Sequence, residues 1–205
     1  MLQAAWSYIE NAVPFMLIAL PIIIGWRIIS AWITAKSAGR TIRETLTVWR
    51  EILVISFAIY IIWLASQTII PHMEWIDGGF VVSIPENYVA KFNYIPFAAI
   101  SDAIYKIFVD VNLYYVIFLV GNILVFIPIG FFTGLLTTKE LKFGHVTLIS
   151  FLSSVFIETV QIFLSRMVDI DDVILNTLGG VVGYLLFILL MKSAPKFVEK
   201  VKCCS

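Results

Sequence analysis

Five separate apolar runs, each about 20 residues long, constrain this chain more than any motif in it. They lie at 11–29, 52–70, 113–136, 146–164 and 173–191. A backbone inside hydrocarbon must satisfy its own hydrogen bonds, so runs of this length become membrane-crossing helices. Composition agrees. Hydrophobic residues make up 60% of the 205 residues and charged residues only 14%, where a soluble domain has about 45–50% and about 25%. The expected fold is an all-α integral membrane protein with about five transmembrane helices. The first ten residues carry no Lys or Arg and no small-residue cleavage site follows. The first run therefore reads as a transmembrane helix over 11–31 and not as a secretory signal. Pro14 and Pro21 lie inside it and predict bending.

Charge sets the expected topology. Segments 32–51 and 137–145 and the tail fall on one side of five spans. With Arg27 they hold eleven of the fourteen Lys and Arg. The other side has only Lys91, Lys106 and Arg166, but nine of the fourteen acids. Positive residues stay cytoplasmic, so the N-terminus is expected outside and the C-terminus inside.

Four regions follow. Residues 1–70 hold two spans and a basic cytoplasmic loop, 71–112 form an extracellular segment, 113–192 a three-helix core, and 193–205 a basic tail. In the outer segment, Asp77-Gly78-Gly79 is a turn signal and Phe80 opens a short extended stretch. Ile104, Ile107, Phe108 and Val111 then recur at i, i+3, i+4 and i+7, with Asp102, Lys106 and Asp110 off the stripe. This predicts an outer interfacial helix. Gly130-x-x-x-Gly134 and Gly179-x-x-x-Gly183 predict close helix approach.

The candidate site is the stretch ETVQIFLSRMVDIDDVILNTLGG, which begins at Glu158. Ionisable groups at membrane depth are costly and usually face protein or water. Glu158 and Gln161 share one helix face leading towards Arg166. Asn122 on the third span and Asn176 on the fifth reach comparable depths, about 13 Å for Asn122, 12 Å for Glu158 and 6 Å for Asn176 below the outer surface. The expectation is an outward-opening polar pocket between spans three, four and five. Asp171 or Asp172 is expected to cap the fifth helix. Asp169, Asp171 and Asp172 are also the candidate ligands for a divalent cation, Glu158 a candidate acid or base, and Arg166 a candidate for a phosphate or carboxylate headgroup.

Several classes find no support. There is no basic patch for nucleic acid, no phosphate-cradling glycine loop, no HExxH and no Ser-His-Asp set. No cofactor motif is present. His72 and His145 match no zinc spacing. Cys203 and Cys204 are adjacent at the C-terminus and read as free thiols on a cytoplasmic tail.

Three segments, taken in order, resemble the VanZ-like family of bacterial membrane proteins: FNYIPF at 92–97, GNILVFIPIGF at 121–131, and IETVQIFLSRMVDIDDVILNTLGGVVGY at 157–184. The resemblance covers about 90–184 and leaves out the first two spans. It implies a multi-pass protein of the bacterial cytoplasmic membrane, related to a protein associated with resistance to the glycopeptide teicoplanin. The positions it singles out are Asn93, Pro96, Asn122, Pro128, Glu158, Gln161, Arg166, Asp169, Asp171, Asp172 and Asn176. On this basis the expected function is lowered susceptibility to teicoplanin-type glycopeptides, through a pocket that binds a lipid-linked cell-wall precursor or a lipoglycopeptide beside the lipid bilayer. The alternatives are a membrane enzyme acting on a lipid or cell-wall precursor headgroup with Glu158 as acid or base, and, less favoured for want of internal repeats, a small transporter.

Overall fold

The computed structural model describes residues 2–39, 41, 47–70, 73–76, 79–82, 92–137, 141–164 and 166–202. Its long helices are α1 (Leu2–Ala38), α2 (Val48–Thr68), α4 (Tyr114–Leu136), α5 (Phe143–Phe163) and α6 (Ile170–Ser193). Between α2 and α4 come β1 (Met73–Ile76), β2 (Gly79–Val82), β3 (Phe92–Asn93) and α3 (Ala98–Phe108). The two-residue β4 (Val168–Asp169) precedes α6, and α7 (Pro195–Lys202) ends the described chain.

Among the described residues, five helices are long and apolar enough to cross a membrane: Val13–Ser37, Val48–Thr68, Tyr114–Leu136, Phe143–Phe163 and Ile170–Ser193. Most begin a few residues before the apolar runs do. Polar first-turn residues such as Arg50, His145, Asp171 and Asp172 join the helix because the dipole and the unpaired N–H groups of a first turn tolerate them. α1 exceeds the expected span at both ends and continues through Pro14 and Pro21. Its 37 residues extend about 55 Å, well beyond the ~30 Å hydrocarbon core.

The chain packs as two compact units. The first comprises Met1–Ile70, Phe132–Glu140 and Phe187–Ser205. Here α1 and α2 are joined by a two-pronged ion pair. Arg27 Nε donates to Glu51 Oε2 at 2.9 Å and Nη2 to Oε1 at 2.5 Å. Arg50 donates to the Leu136 carbonyl at the end of α4 (3.2 Å) and to the Val201 carbonyl near the end of α7 (2.9 Å). Terminal helix carbonyls lack partners, and a guanidinium there is favoured. The basic tail expected over 193–205 is thus a helix through Lys202. Pro195 sits at its first position, which suits a residue without an N–H. Val198 and Val201, three apart, are buried. Phe197 packs edge-on against Trp49, and Lys202 sits 4.9 Å from the Phe187 ring centre. Cys203 and Cys204 lie outside the described residues.

The second unit comprises Pro71–Phe131 and Leu141–Leu186. β1 and β2 form an antiparallel hairpin closing at Ile76↔Gly79. Asp77 and Gly78, the expected turn, lie outside the described residues. β3 and β4 pair in parallel, Phe92↔Val168 and Asn93↔Asp169. The helices α4, α5 and α6 meet at small residues, as the glycine spacing predicts. A Cβ on Gly130 would strike the Gly180 carbonyl, one on Gly183 the Ile127 carbonyl, and one on Gly180 the Ser150 side chain. Gly134 falls in the first unit, where its missing side chain makes room for Phe187.

Candidate functional site

The site is built where α4 begins, α5 ends and α6 begins, with the 92–100 segment as a fourth contributor. Asp169 immediately precedes α6. Its Oδ1 accepts the Asp171 N–H at 2.9 Å, the geometry of an N-cap. The cap expected from Asp171 or Asp172 is therefore supplied by Asp169. The reason is positional: a cap must stand one residue outside the helix, and both other acids are already inside it.

Asp171 serves a different helix. Its carboxylate is fully buried and accepts the Phe97 N–H at 2.5 Å through Oδ1 and the Ile100 N–H at 3.0 Å through Oδ2. It caps α3 from the first turn of α6. Phe97 is the residue before α3 and has left-handed backbone angles, φ 65° and ψ 7°. With Pro96 before it and the Ala98 N–H donating to the Ile95 carbonyl (3.2 Å), this matches a type II turn. Pro96 supplies the fixed φ that such a turn prefers. No side chain of its own caps α3, so the N-terminal N–H groups are met from α6.

Asn93 ties the same segment down. Its Nδ2 donates to Asp169 Oδ1 at 2.9 Å, while its Oδ1 accepts the Ile95 N–H at 3.3 Å. Glu158, 6% exposed on α5, accepts the Asp169 N–H at 3.1 Å through Oε2. Asn122 on α4 donates to Asp172 Oδ1 on α6 at 2.7 Å. One connected network thus runs from the start of α3 through Asp171 and Asp169 to Glu158. The Asn122–Asp172 bond stands beside it.

Asn176 does not join Glu158. Its Nδ2 donates to Ser154 Oγ at 2.9 Å, one helical turn deeper along α5. Ser154 was not expected in the site, although Ser150, Ser154 and Glu158 recur every four residues on one face of α5. Ser150 and Ser154 are both fully buried. The backbone N–H groups of Phe97 and Ile100 are further members that side-chain chemistry alone does not reveal.

Glu158, Asp169, Asp171 and Asn176 are nearly closed to solvent. Asn122, Gln161, Arg166 and Asp172 are half-buried and form the accessible part. Arg166 follows α5, with its own N–H donating to the Gln161 carbonyl at 3.1 Å. Burial pushes the Arg166 guanidinium below its usual pKa. The dehydrated surroundings that cause this also strengthen any contact it makes with an anion.

The three aspartates do not gather as cation ligands. Asp169 turns to Asn93 and the α6 N-terminus, Asp171 to the α3 N-terminus, and Asp172 to Asn122. Among the described residues, no three acid, His or Cys side chains are placed to share an ion. Each carboxylate is instead turned to its own hydrogen-bond donor.

A family model described as VanZ/LLP1 matches residues 57–191. The match is longer than the 90–184 resemblance, because it takes in part of α2 and the outer segment. No curated protein and no solved structure matches the chain. The matched stretch covers more than half of the sequence and includes every residue of the network, so this membrane protein of five apolar helices belongs to the VanZ/LLP1 family.

Proposed function

We propose that this protein lowers susceptibility to teicoplanin-type glycopeptide and lipoglycopeptide antibiotics by holding the polar head of an amphiphilic or lipid-linked ligand at the network around Glu158. In this reading it sits in a bacterial cytoplasmic membrane with the N-terminus outside, so the starts of α4 and α6 face outward. The charge asymmetry between the connecting segments supports that orientation. The observation that carries the reading is the convergence of Asn93, Asn122, Glu158, Asp169 and Asp172 at the ends of three apolar helices. Polar groups this costly to bury are kept where they meet a ligand or an ion path. The half-buried Arg166 and Gln161 give a polar head a donor and an acceptor at the open edge.

The test is antibiotic susceptibility in a bacterial host expressing the full chain. The wild-type protein raises the inhibitory concentration of teicoplanin. Glu158→Gln and Arg166→Ala, present in the membrane at wild-type amount, each remove at least half of that increase. An unchanged inhibitory concentration with the wild-type chain sinks the proposal.

A second reading is favoured by one observation. Glu158 is held through a single oxygen by a single backbone N–H, in a buried setting suited to acid or base work. In that reading the protein processes a lipid or cell-wall precursor headgroup. Chemical change in a purified lipid-linked precursor, lost in Glu158→Gln, would favour it over simple binding.

A further inference from the structure

The helix α3 is amphipathic, but the bundle uses only part of its apolar face. Ala103 is buried and Ile100 and Ile107 are half-buried. Ile104 and Phe108, on the edge of the same stripe, stay exposed at 44% and 80%. The opposite side is polar. Lys106 pairs with Asp102 at 2.7 Å, and Ser101 and Asp102 are exposed.

Both ends of α3 carry a second clue. Phe97 before it and Val111 after it are the two non-glycine residues with positive φ, at 65° and 51°, among the described residues. Val111 lies in the turn that leaves α3, where the Asn112 N–H reaches back to the Lys106 carbonyl at 3.1 Å. Glycine or asparagine meets either backbone requirement at less cost, and a β-branched residue there is a true outlier. Yet both positions carry large apolar side chains, and both are open, Phe97 at 61% and Val111 at 76%. In water such a choice gains nothing. In hydrocarbon it is favourable by the transfer energy of the side chain.

The helix is also tied to the spans of its unit at both ends. Asp171, in the first turn of α6, holds its N-terminus. Its C-terminus is joined through residues 109–113 to the start of α4. Asn122 lies eight residues into α4 and bonds Asp172, two residues into α6, so α4 starts about 9 Å beyond the start of α6. The 11 residues of α3, about 16 Å long, are tied to the first turn of α6 at one end and lead into α4 at the other.

We propose that the 94–113 segment is a lipid-docked arm. Its partner is the acyl region of the leaflet at which α4 and α6 begin, contacted by Tyr94, Phe97, Ile104, Phe108 and Val111. Asp171 is the positioning residue that sets the arm's angle. If the network around Glu158 holds an amphiphile, which rests on the function proposed above, the arm puts lipid chains within reach of that network.

The test uses the full chain with Cys203→Ser and Cys204→Ser, in nanodiscs of phosphatidylethanolamine and phosphatidylglycerol, with no antibiotic present. Single nitroxide labels are placed at 97, 104, 108 and 111, and at 102 and 110. Their collision rates with oxygen, which enters lipid, and with a nickel chelate, which stays in water, are compared. Labels at 104, 108 and 111 favour oxygen at least fivefold more than labels at 102 and 110. Equal preference across the two sets overturns the docking, and so does shielding of 104 and 108 from both reagents, which would mean a protein partner. Asp171→Ala erases the contrast between 104 and 102, and Asp171→Asn, which keeps one acceptor, retains part of it. An unaltered contrast in Asp171→Ala removes the positioning role.

Discussion

Charge inside apolar helices is handled in two opposite ways in the two units. In the first unit the Arg27 and Glu51 side chains meet each other in a two-pronged pair, and Arg50 meets the carbonyl ends of two helices. Arg27 and Arg50 each meet a complementary group. In the second unit four carboxylates gather, and the donors that meet them are asparagine side chains and backbone N–H groups. Neutral donors orient a carboxylate without cancelling its charge. The first arrangement secures helices. The second gathers buried acidic groups at a cost to stability, the pattern expected where function has been favoured over stability.

The comparison depends on the helices of the second unit standing close enough to bring those acidic groups together. Gly130→Ala puts a methyl group into the Gly180 backbone carbonyl, which cannot move aside as a side chain would. We expect a loss of about 3 kcal/mol, read as a lowered Tm in detergent micelles. Gly121→Ala on the same helix meets nothing within 4 Å and gains up to about 1 kcal/mol from helix propensity. If both substitutions behave alike, close packing does not hold the cluster together.

A charge-neutral substitution separates the two units directly. Glu51→Gln leaves the Arg27 guanidinium beside an uncharged partner and costs about 1 kcal/mol, modest because the pair is partly exposed. Glu158→Gln acts in the other direction. It removes one acidic group from among Asp169, Asp171 and Asp172 while keeping an oxygen for the Asp169 N–H. A gain of about 1 kcal/mol is expected, with loss of the antibiotic effect. Melting curves of the two variants side by side give the signs. A destabilised Glu158→Gln would mean that the cluster is balanced like the pair.

Much of this architecture is legible in the sequence, because lipid leaves the backbone few choices. Each apolar run must become a helix, and each polar residue within a run stands out against it. Glu158, Asn122 and Asn176 are found that way. Bonding partners are not. Asp171 is 74 residues from Phe97, and only the packed fold makes it the cap of α3 rather than of its own helix. Asn176 was expected to share a pocket with Glu158, but it meets Ser154, one turn further along α5. α7 was missed because three lysines mask two valines when the segment is read by composition.

Val111 offers the finest test, since two effects of similar size oppose each other there. Its left-handed backbone costs about 1 kcal/mol or more, which Val111→Gly would recover. If the side chain lies in water, nothing offsets that gain and the Tm rises. If it lies in lipid, removing it forfeits about 1.5 kcal/mol of transfer energy. The protein in nanodiscs should then show no rise, or a fall of a degree or two, in Val111→Gly. The same substitution in short-chain detergent, where the arm has no leaflet to enter, should recover the strain and raise the Tm. Arg27 and Glu51 provide the control, because a pair that completes itself should respond equally in both media.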